Sequence, residues 1–269
     1  MPLDWIDVSS LSFNVLLLLE RVQLSWFPGV VPETELALAL KGNPVVEWYL
    51  RHKCPELNEW LNMVIINSED NRDLTPEDTR RAELTVMRSL TDLIAYVVDP
   101  AAYDALPFLN WDSEELLSLT DFSEKNVIDV GAGTGRLTFT VAAMAAQVFA
   151  VEPVANLRTF LRAQAADKGL SNVYPVDGLL TQIPFPAHFA DITMGGHVFG
   201  DQLEEEYREL LRVTKRGGMI ILCPGNNDED NSVHGFLVSH GFKWSRFEEP
   251  MNGIKRKYWT TVAEASTGV

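Results

Sequence analysis

The chain has little with which to build a covalent or metal-held scaffold. Cysteine occurs only twice in 269 residues, at Cys54 and Cys223. Two thiols so far apart give neither a disulfide framework nor zinc-type ligand spacing, so a reduced, cytoplasmic setting and no metal site are expected. Basic residues are also scarce, 22 Lys and Arg against 38 Asp and Glu, for a formal charge of −16. A field of that sign repels phosphate backbones and anionic lipid, which argues against nucleic acid and membrane partners. The deficit is uneven: residues 1–120 hold 8 basic and 20 acidic side chains. Long uninterrupted apolar runs are missing too. Leu11–Phe27 is the most apolar early stretch, but Asn14, Glu20 and Arg21 interrupt it and it falls short of a membrane span. Asp4 and Asp7 stand where a secretory leader would carry positive charge. The stretch reads as a buried or partner-facing helix. No repeat or glycine-rich linker divides the first 120 residues.

What is present falls into two regions. Residues 1–120 carry helix punctuation. Pro44 and Pro55 sit where first helical turns accept proline, and Thr75-Pro-Glu-Asp78 combines a capping hydroxyl, proline and two acids. Leu84, Met87, Leu90, Leu93, Ile94 and Val97 continue from it as a helical stripe to about Val98. Asp112-Ser-Glu-Glu115 has the spacing of a capping box opening a short helix through Leu119. Residues 121–269 change rhythm. Apolar β-type runs at 126–130, 147–151, 172–176, 190–194 and 219–223 alternate with helical stretches. Strands alternating with helices imply an α/β fold with an open, mostly parallel, Rossmann-like sheet. Two further β-like runs, 242–247 and 257–262, predict an antiparallel hairpin at its edge.

In such sheets the ligand lies beyond the carboxyl ends of the strands. The first strand ends in Val127-Ile-Asp-Val-Gly-Ala-Gly-Thr-Gly-Arg-Leu137. Glycine there permits a sharp turn and close approach of a ligand to the main chain. A dinucleotide fingerprint, G-x-G-x-x-G, needs its third glycine at 136 or 138, and those positions are Arg136 and Thr138. Asp129 would oppose two phosphates in a low-dielectric crevice and would welcome a cation. The second strand delivers Glu152, about 20 positions after Gly131, where an acid can accept from both ribose hydroxyls. The third delivers Asp177 and Gly178, the fourth Gly195-Gly-His197. These residues point to a nucleoside-like ligand without phosphate and with positive charge.

Over about residues 120–262 this set resembles the class I S-adenosylmethionine-dependent methyltransferases. VIDVGAGTGRL is similar to their first motif, FAVEP (149–153) to the acidic end of their second strand, and PVDG (175–178) to their adenine-side motif. FADITMGG (189–196) is similar to their fourth strand, and LLRVTKRGGMIIL (210–222) to their helix and fifth strand. The resemblance implies S-adenosylmethionine as cofactor. Asp129, Gly131 and Gly133 would then line its methionine part, Glu152 would hold the ribose hydroxyls, Asp177 and Gly178 the adenine, and Gly195 the floor near the sulfonium.

Methyl transfer asks mainly for alignment, and the cofactor supplies the driving force. His197 is the candidate catalytic residue, able to deprotonate or orient an acceptor. The Asn/Asp-Pro-Pro-aromatic run of amino-group methyltransferases is absent at 195–199, and so is a Pro-Cys nucleophile for cytosine. A small-molecule acceptor is expected. Trp111, Tyr103 and Phe108 are placed to fold over the cofactor mouth or simply to pack. Residues 1–120 are read as a helical cap over the acceptor or as the surface of a homodimer, and the residues leave both open. An aminopropyltransferase of the same fold and a non-catalytic cofactor-binding interaction subunit stay as alternatives.

Overall fold

The computed structural model describes residues 6–68 and 74–264; Asp4 lies outside them. They group into two compact units, Met1–Tyr103 and Asp104–Val269.

The first unit is helical. Its elements are α1 (Arg21–Ser25), α2 (Glu33–Gly42), α3 (Pro44–Lys53), α4 (Asn58–Asn67), α5 (Pro76–Ser89), α6 (Thr91–Val98) and α7 (Pro100–Asp104), which reaches the boundary. The expected N-terminal helix over Leu11–Phe27 is instead a 3-10 turn, Phe13–Leu18, followed by the short α1. The chain breaks at Leu19, whose backbone is extended, and Glu20 and Gln23 form a capping box that restarts it. Phe13, Leu16, Leu19, Leu24 and Phe27 are all buried while Leu18 and Trp26 stay exposed. The stripe after Thr75 is likewise two helices, parted at Leu90 (φ −121°, ψ 20°). Proline opens α3 and α5, and Thr75 Oγ1 accepts from Asp78 N at 3.1 Å.

The second unit is built on one seven-stranded sheet among the described residues, in the order β3-β2-β1-β4-β5-β7-β6. Its strands are β1 (Asn126–Val130), β2 (Gln147–Val151), β3 (Val173–Val176), β4 (Ala190–Gly195), β5 (Thr214–Asn227), β6 (Lys243–Glu249) and β7 (Gly253–Thr261). β1 to β5 pair in parallel, while β7 pairs antiparallel with β5 and with β6. Helices α8 (Glu114–Leu117), α9 (Arg136–Ala142), α10 (Ala155–Asp167), α11 (Leu203–Val213) and α12 (Ser232–Ser239) accompany it. Central parallel strands are covered on both faces, so they read as apolar runs. Val127 and Ile192 go to one core cluster and Ile128, Val130 and Ile220 to another. α10 presents Leu157, Leu161 and Ala165 at four-residue intervals, one buried stripe.

The capping box expected at residues 112–115 does not form. Asp112 Oδ1 accepts from Glu114 N at 3.0 Å instead, and the helix ends at Leu117. The Glu115 carboxylate is drawn away by the Lys257 Nζ, 2.7 Å distant on β7. A charge partner outcompetes a neutral amide for a carboxylate. β5 also runs far beyond the expected five residues, because β7 pairs with it as far as Asn227.

Three consecutive buried cations fix β7. Lys255 Nζ donates to Asn227 Oδ1 at 2.6 Å, and Lys257 binds Glu115. Arg256 donates to Asp228 (2.7 Å), Asp230 (2.8 Å) and the Glu229 carbonyl (2.9 Å), and its guanidinium lies 4.6 Å from the Trp244 ring centre. These bonds tie the hairpin, and with it Glu249 at the tip of β6, to the loop after β5. They also hold the Asp228 carboxyl below its usual range.

Removal of the cap on α5 tests the helical unit. Thr75→Ala is expected to cost about 0.5–2 kcal/mol in denaturant unfolding, with Thr75→Ser close to the original; equal midpoints for all three would show that the hydroxyl contributes nothing.

Candidate functional site

The glycine turn follows β1 directly. Gly131, Gly133 and Gly135 have φ of +67°, +56° and +97°, in the left-handed region open to glycine and costly for other residues. Gly131 N and Ala132 N both donate to the Val151 carbonyl, which fastens the start of the turn to β2. Glu152 fastens its middle: Oε2 accepts from Gly133 N and Oε1 from Val154 N, each at 2.9 Å. Arg158 extends the chain of contacts, donating to the Glu152 carbonyl (2.7 Å) and to Asp177 Oδ1 (3.0 Å). The ends of β1, β2 and β3 are thereby one connected rim. Asp177 remains open to solvent, its side chain 74% exposed.

Gly131 and Gly195 share a second reason for being glycine. A Cβ at either would fall 2.6 Å from a methyl of Val198, and at Gly195 also 2.9 Å from the Val130 carbonyl. Val198 is wedged between the turn and the end of β4. At Gly178 a Cβ would meet Pro184 and Val151 at under 3 Å, so this glycine admits the loop before β4.

Two of the acids are buried. Asp129 is 1% exposed and accepts from Thr138 Oγ1 at 2.6 Å; Glu152 is 4% exposed. Burial pushes each carboxyl up to about 7, against the hydrogen bonds that favour the charged form. Burial thus favours the protonated form of both, one on β1 and one just past the end of β2. A cation arriving at the rim would draw them into the charged state, whereas a diphosphate would force protons onto them. The same turn holds an unmatched buried hydroxyl, Thr134 Oγ1, with no partner among the described residues. This donor set fits a cationic nucleoside derivative.

His197 follows the fourth strand with φ +55°, held by its N–H to the Pro224 carbonyl at 2.8 Å. For a non-glycine residue this backbone costs about 1–2 kcal/mol, which the surrounding contacts must offset. Its Nε2 lies 2.7 Å from Glu249 Oε1. Glu249 is fully buried, and Oε2 accepts from Asn252 Nδ2 at 2.6 Å with Lys255 Nζ 3.8 Å away. The Phe108 ring meets the imidazole edge-on at 6.2 Å between centres. Phe108 thus borders the candidate base. Trp111 serves packing: it is 3% exposed, in edge contact with Phe247 and under the Arg136 guanidinium. Tyr103 pairs with Tyr96 in the helical unit.

Sequence reasoning located the rim acids but missed Glu249, 52 positions from its histidine. A signal was present. Phe247 and Glu249 are two apart on β6 and share its buried face, where an acid requires a partner.

Comparison with known proteins agrees with this geometry. Residues 127–218 match a family described as a methyltransferase domain. An uncharacterized methyltransferase of Bacillus velezensis is 30% identical over 95 residues, which cover 35% of this chain and 43% of that protein. The chain thus spans less than half the length of that curated relative. A solved S-adenosylmethionine-dependent methyltransferase of Aquifex aeolicus superposes with a TM-score of 0.50 at 19% identity, covering 61% of this chain and 99% of the other. At that identity the likeness is one of fold.

The acid pair predicts a pH dependence. In the folded chain Asp129 and Glu152 keep protons until about pH 7, while unfolded they release them near 3.8 and 4.5. Their contribution to stability is complete below those unfolded values and is lost as pH rises through about 7. Thermal midpoints of the ligand-free protein should fall over that window, and more shallowly in Asp129→Asn and Glu152→Gln. Identical slopes in all three proteins would place the titration elsewhere.

Proposed function

Because residues 127–218 belong to the class I S-adenosylmethionine-dependent methyltransferases, a family of enzymes that use this cofactor, we propose that the whole chain transfers a methyl group from S-adenosylmethionine to a small-molecule acceptor. The observation that carries the reading is the pair of buried acids, Asp129 and Glu152, around a left-handed glycine turn. When bound, the cofactor supplies an electrophilic methyl on a sulfonium, a monocation where a dinucleotide would bring two negative charges.

Each strand end then has a task. The main chain of Gly131 and Gly133 lies along the methionine part, with Asp129 beneath it compensating positive charge. Glu152 takes the ribose hydroxyls and Asp177 with Gly178 the adenine. Gly195 keeps the floor clear of side chains other than Val198. His197 is the group for proton removal or acceptor placement. The helical region before β1 is assigned the choice of acceptor or the pairing of two copies, and light scattering distinguishes a dimer from a monomer. The −16 charge supports a small acceptor over nucleic acid, and the two unpaired thiols support a cytoplasmic setting.

Calorimetry with S-adenosylmethionine, its decarboxylated form and NAD tests the reading. The first should bind best. Preference for NAD would end the proposal, and preference for the decarboxylated form would mark an aminopropyltransferase. Glu152→Gln should weaken cofactor binding by about 1.5–3 kcal/mol, the range for a hydrogen bond to a charged group; an unchanged Kd removes Glu152 from the ribose.

Affinity should also rise with pH through about 7, as the ligand pulls both carboxyls into their charged form. The binding heat near that pH should therefore scale with the ionisation enthalpy of the buffer. A heat that is the same in every buffer would show that no proton leaves on binding.

A further inference from the structure

His197 and Glu249 belong to different parts of the chain, and the fold spends considerable structure on bringing them together. Glu249 sits at the end of an antiparallel edge hairpin that is anchored by Lys255, Arg256 and Lys257. His197 accepts a left-handed backbone and a bond to Pro224 to reach it. Non-glycine residues kept in such a backbone cluster at functional positions, and the inference runs from the outlier to the function.

The geometry of the pair fixes the ring. A fully buried carboxylate 2.7 Å from Nε2 can only accept, so Nε2 carries the proton in the neutral imidazole. Nδ1 is then the lone-pair nitrogen, and it has no hydrogen-bond partner among the described residues. The ring is 41% exposed although its partner is fully buried. His197 also precedes Val198, whose methyls touch the sites of Gly131 and Gly195. The free nitrogen therefore belongs to the residue next to the one whose side chain packs on the glycine turn.

We propose that the acceptor is a hydroxyl-bearing small molecule whose O–H proton is taken by His197 Nδ1, with Glu249 as the residue that positions the ring and balances its charge. This rests on the methyltransferase reading above and names the acceptor class for it. The O–H bond breaks and an N–H bond forms at Nδ1. The electron pair stays on the acceptor oxygen, which becomes the nucleophile for the methyl carbon. The carbon–sulfur bond breaks with its pair passing to sulfur, so the positive charge leaves the cofactor and resides on the imidazolium until Nδ1 returns its proton to water. Glu249 faces that charge through Nε2–H, while Asn252 and Lys255 hold its other oxygen in place. An arylamine, neutral at pH 7, attacks through its existing lone pair and has no need of a base fixed in this manner.

The test has two parts on the intact chain. In the first, ¹⁵N-histidine spectra of the protein with S-adenosylhomocysteine read the ring tautomer, with His197→Gln to assign the signal. The expected state is protonated at Nε2 and bare at Nδ1, becoming a mixture in Glu249→Gln. A proton on Nδ1 in the unaltered protein overturns the proposal. In the second, initial rates are measured with S-adenosylmethionine and a panel of phenols and matching anilines. Phenols should turn over, with kcat falling about 100-fold or more in His197→Ala and Glu249→Gln while KM changes little. Acidic nitrophenols, already ionised, should lose far less. Turnover of anilines alone, or equal losses for acidic and weakly acidic phenols, overturns the assignment, as does the absence of phenol turnover in a protein that binds the cofactor. Failure to bind S-adenosylhomocysteine at all removes the underlying reading instead, and calorimetry recognises that case separately. Should Glu249→Gln not fold, the tautomer of the unaltered protein and the His197→Ala rates still decide.

Discussion

The second unit turns on one carboxylate. Glu152 accepts from Gly133 in the turn after β1 and from Val154 at the start of α10. A turn made of alternating glycines has no side chains with which to hold its own shape, so its conformation must be imposed from outside. The acid does this and also joins the ends of β1 and β2. Arg158 carries the connection to Asp177 at the end of β3. Taking Glu152 out of water is costly, and its raised pKa is the measure of that cost. A fold that needed only to close a turn could have used a neutral group.

The hairpin at the other edge solves a similar problem with opposite sign. Lys255, Arg256 and Lys257 are buried in succession, which is tolerable because each has an oxygen partner on a neighbouring element. Breaking such a pair leaves an uncompensated buried charge, which is far costlier than the pair itself is stabilising. The hairpin is thus fixed in register as well as in place. That rigidity is what allows Glu249 to meet a histidine from a distant loop at 2.7 Å.

Much of this was legible in the residues. The strands of the sheet read clearly because burial on both faces leaves short apolar runs, and β1 and β2 occupy the residues expected. The acids at strand ends were legible because the topology of a parallel sheet brings all carboxyl ends to one side. Local signals were also sound where no stronger partner competed: Thr75 caps its helix as its spacing implies. They failed where a distant residue intervened, as when Lys257 removed Glu115 from its box. The break at Leu19 and the parting at Leu90 were hidden because helical periodicity records which residues are apolar and not where the backbone leaves the helical region. That Glu249 needs a partner could be read from the buried face of β6, but that the partner is His197 could not. No rule of spacing relates position 197 to position 249; only the order of strands does.

Val198 makes the glycine turn intolerant of side chains. Its methyls stand 2.6 Å from where a Cβ at Gly131 or at Gly195 would lie, so an alanine at either position has to displace them. Val198 follows His197 directly in the chain, and the peptide between them joins the packing over the turn to the residue that meets Glu249.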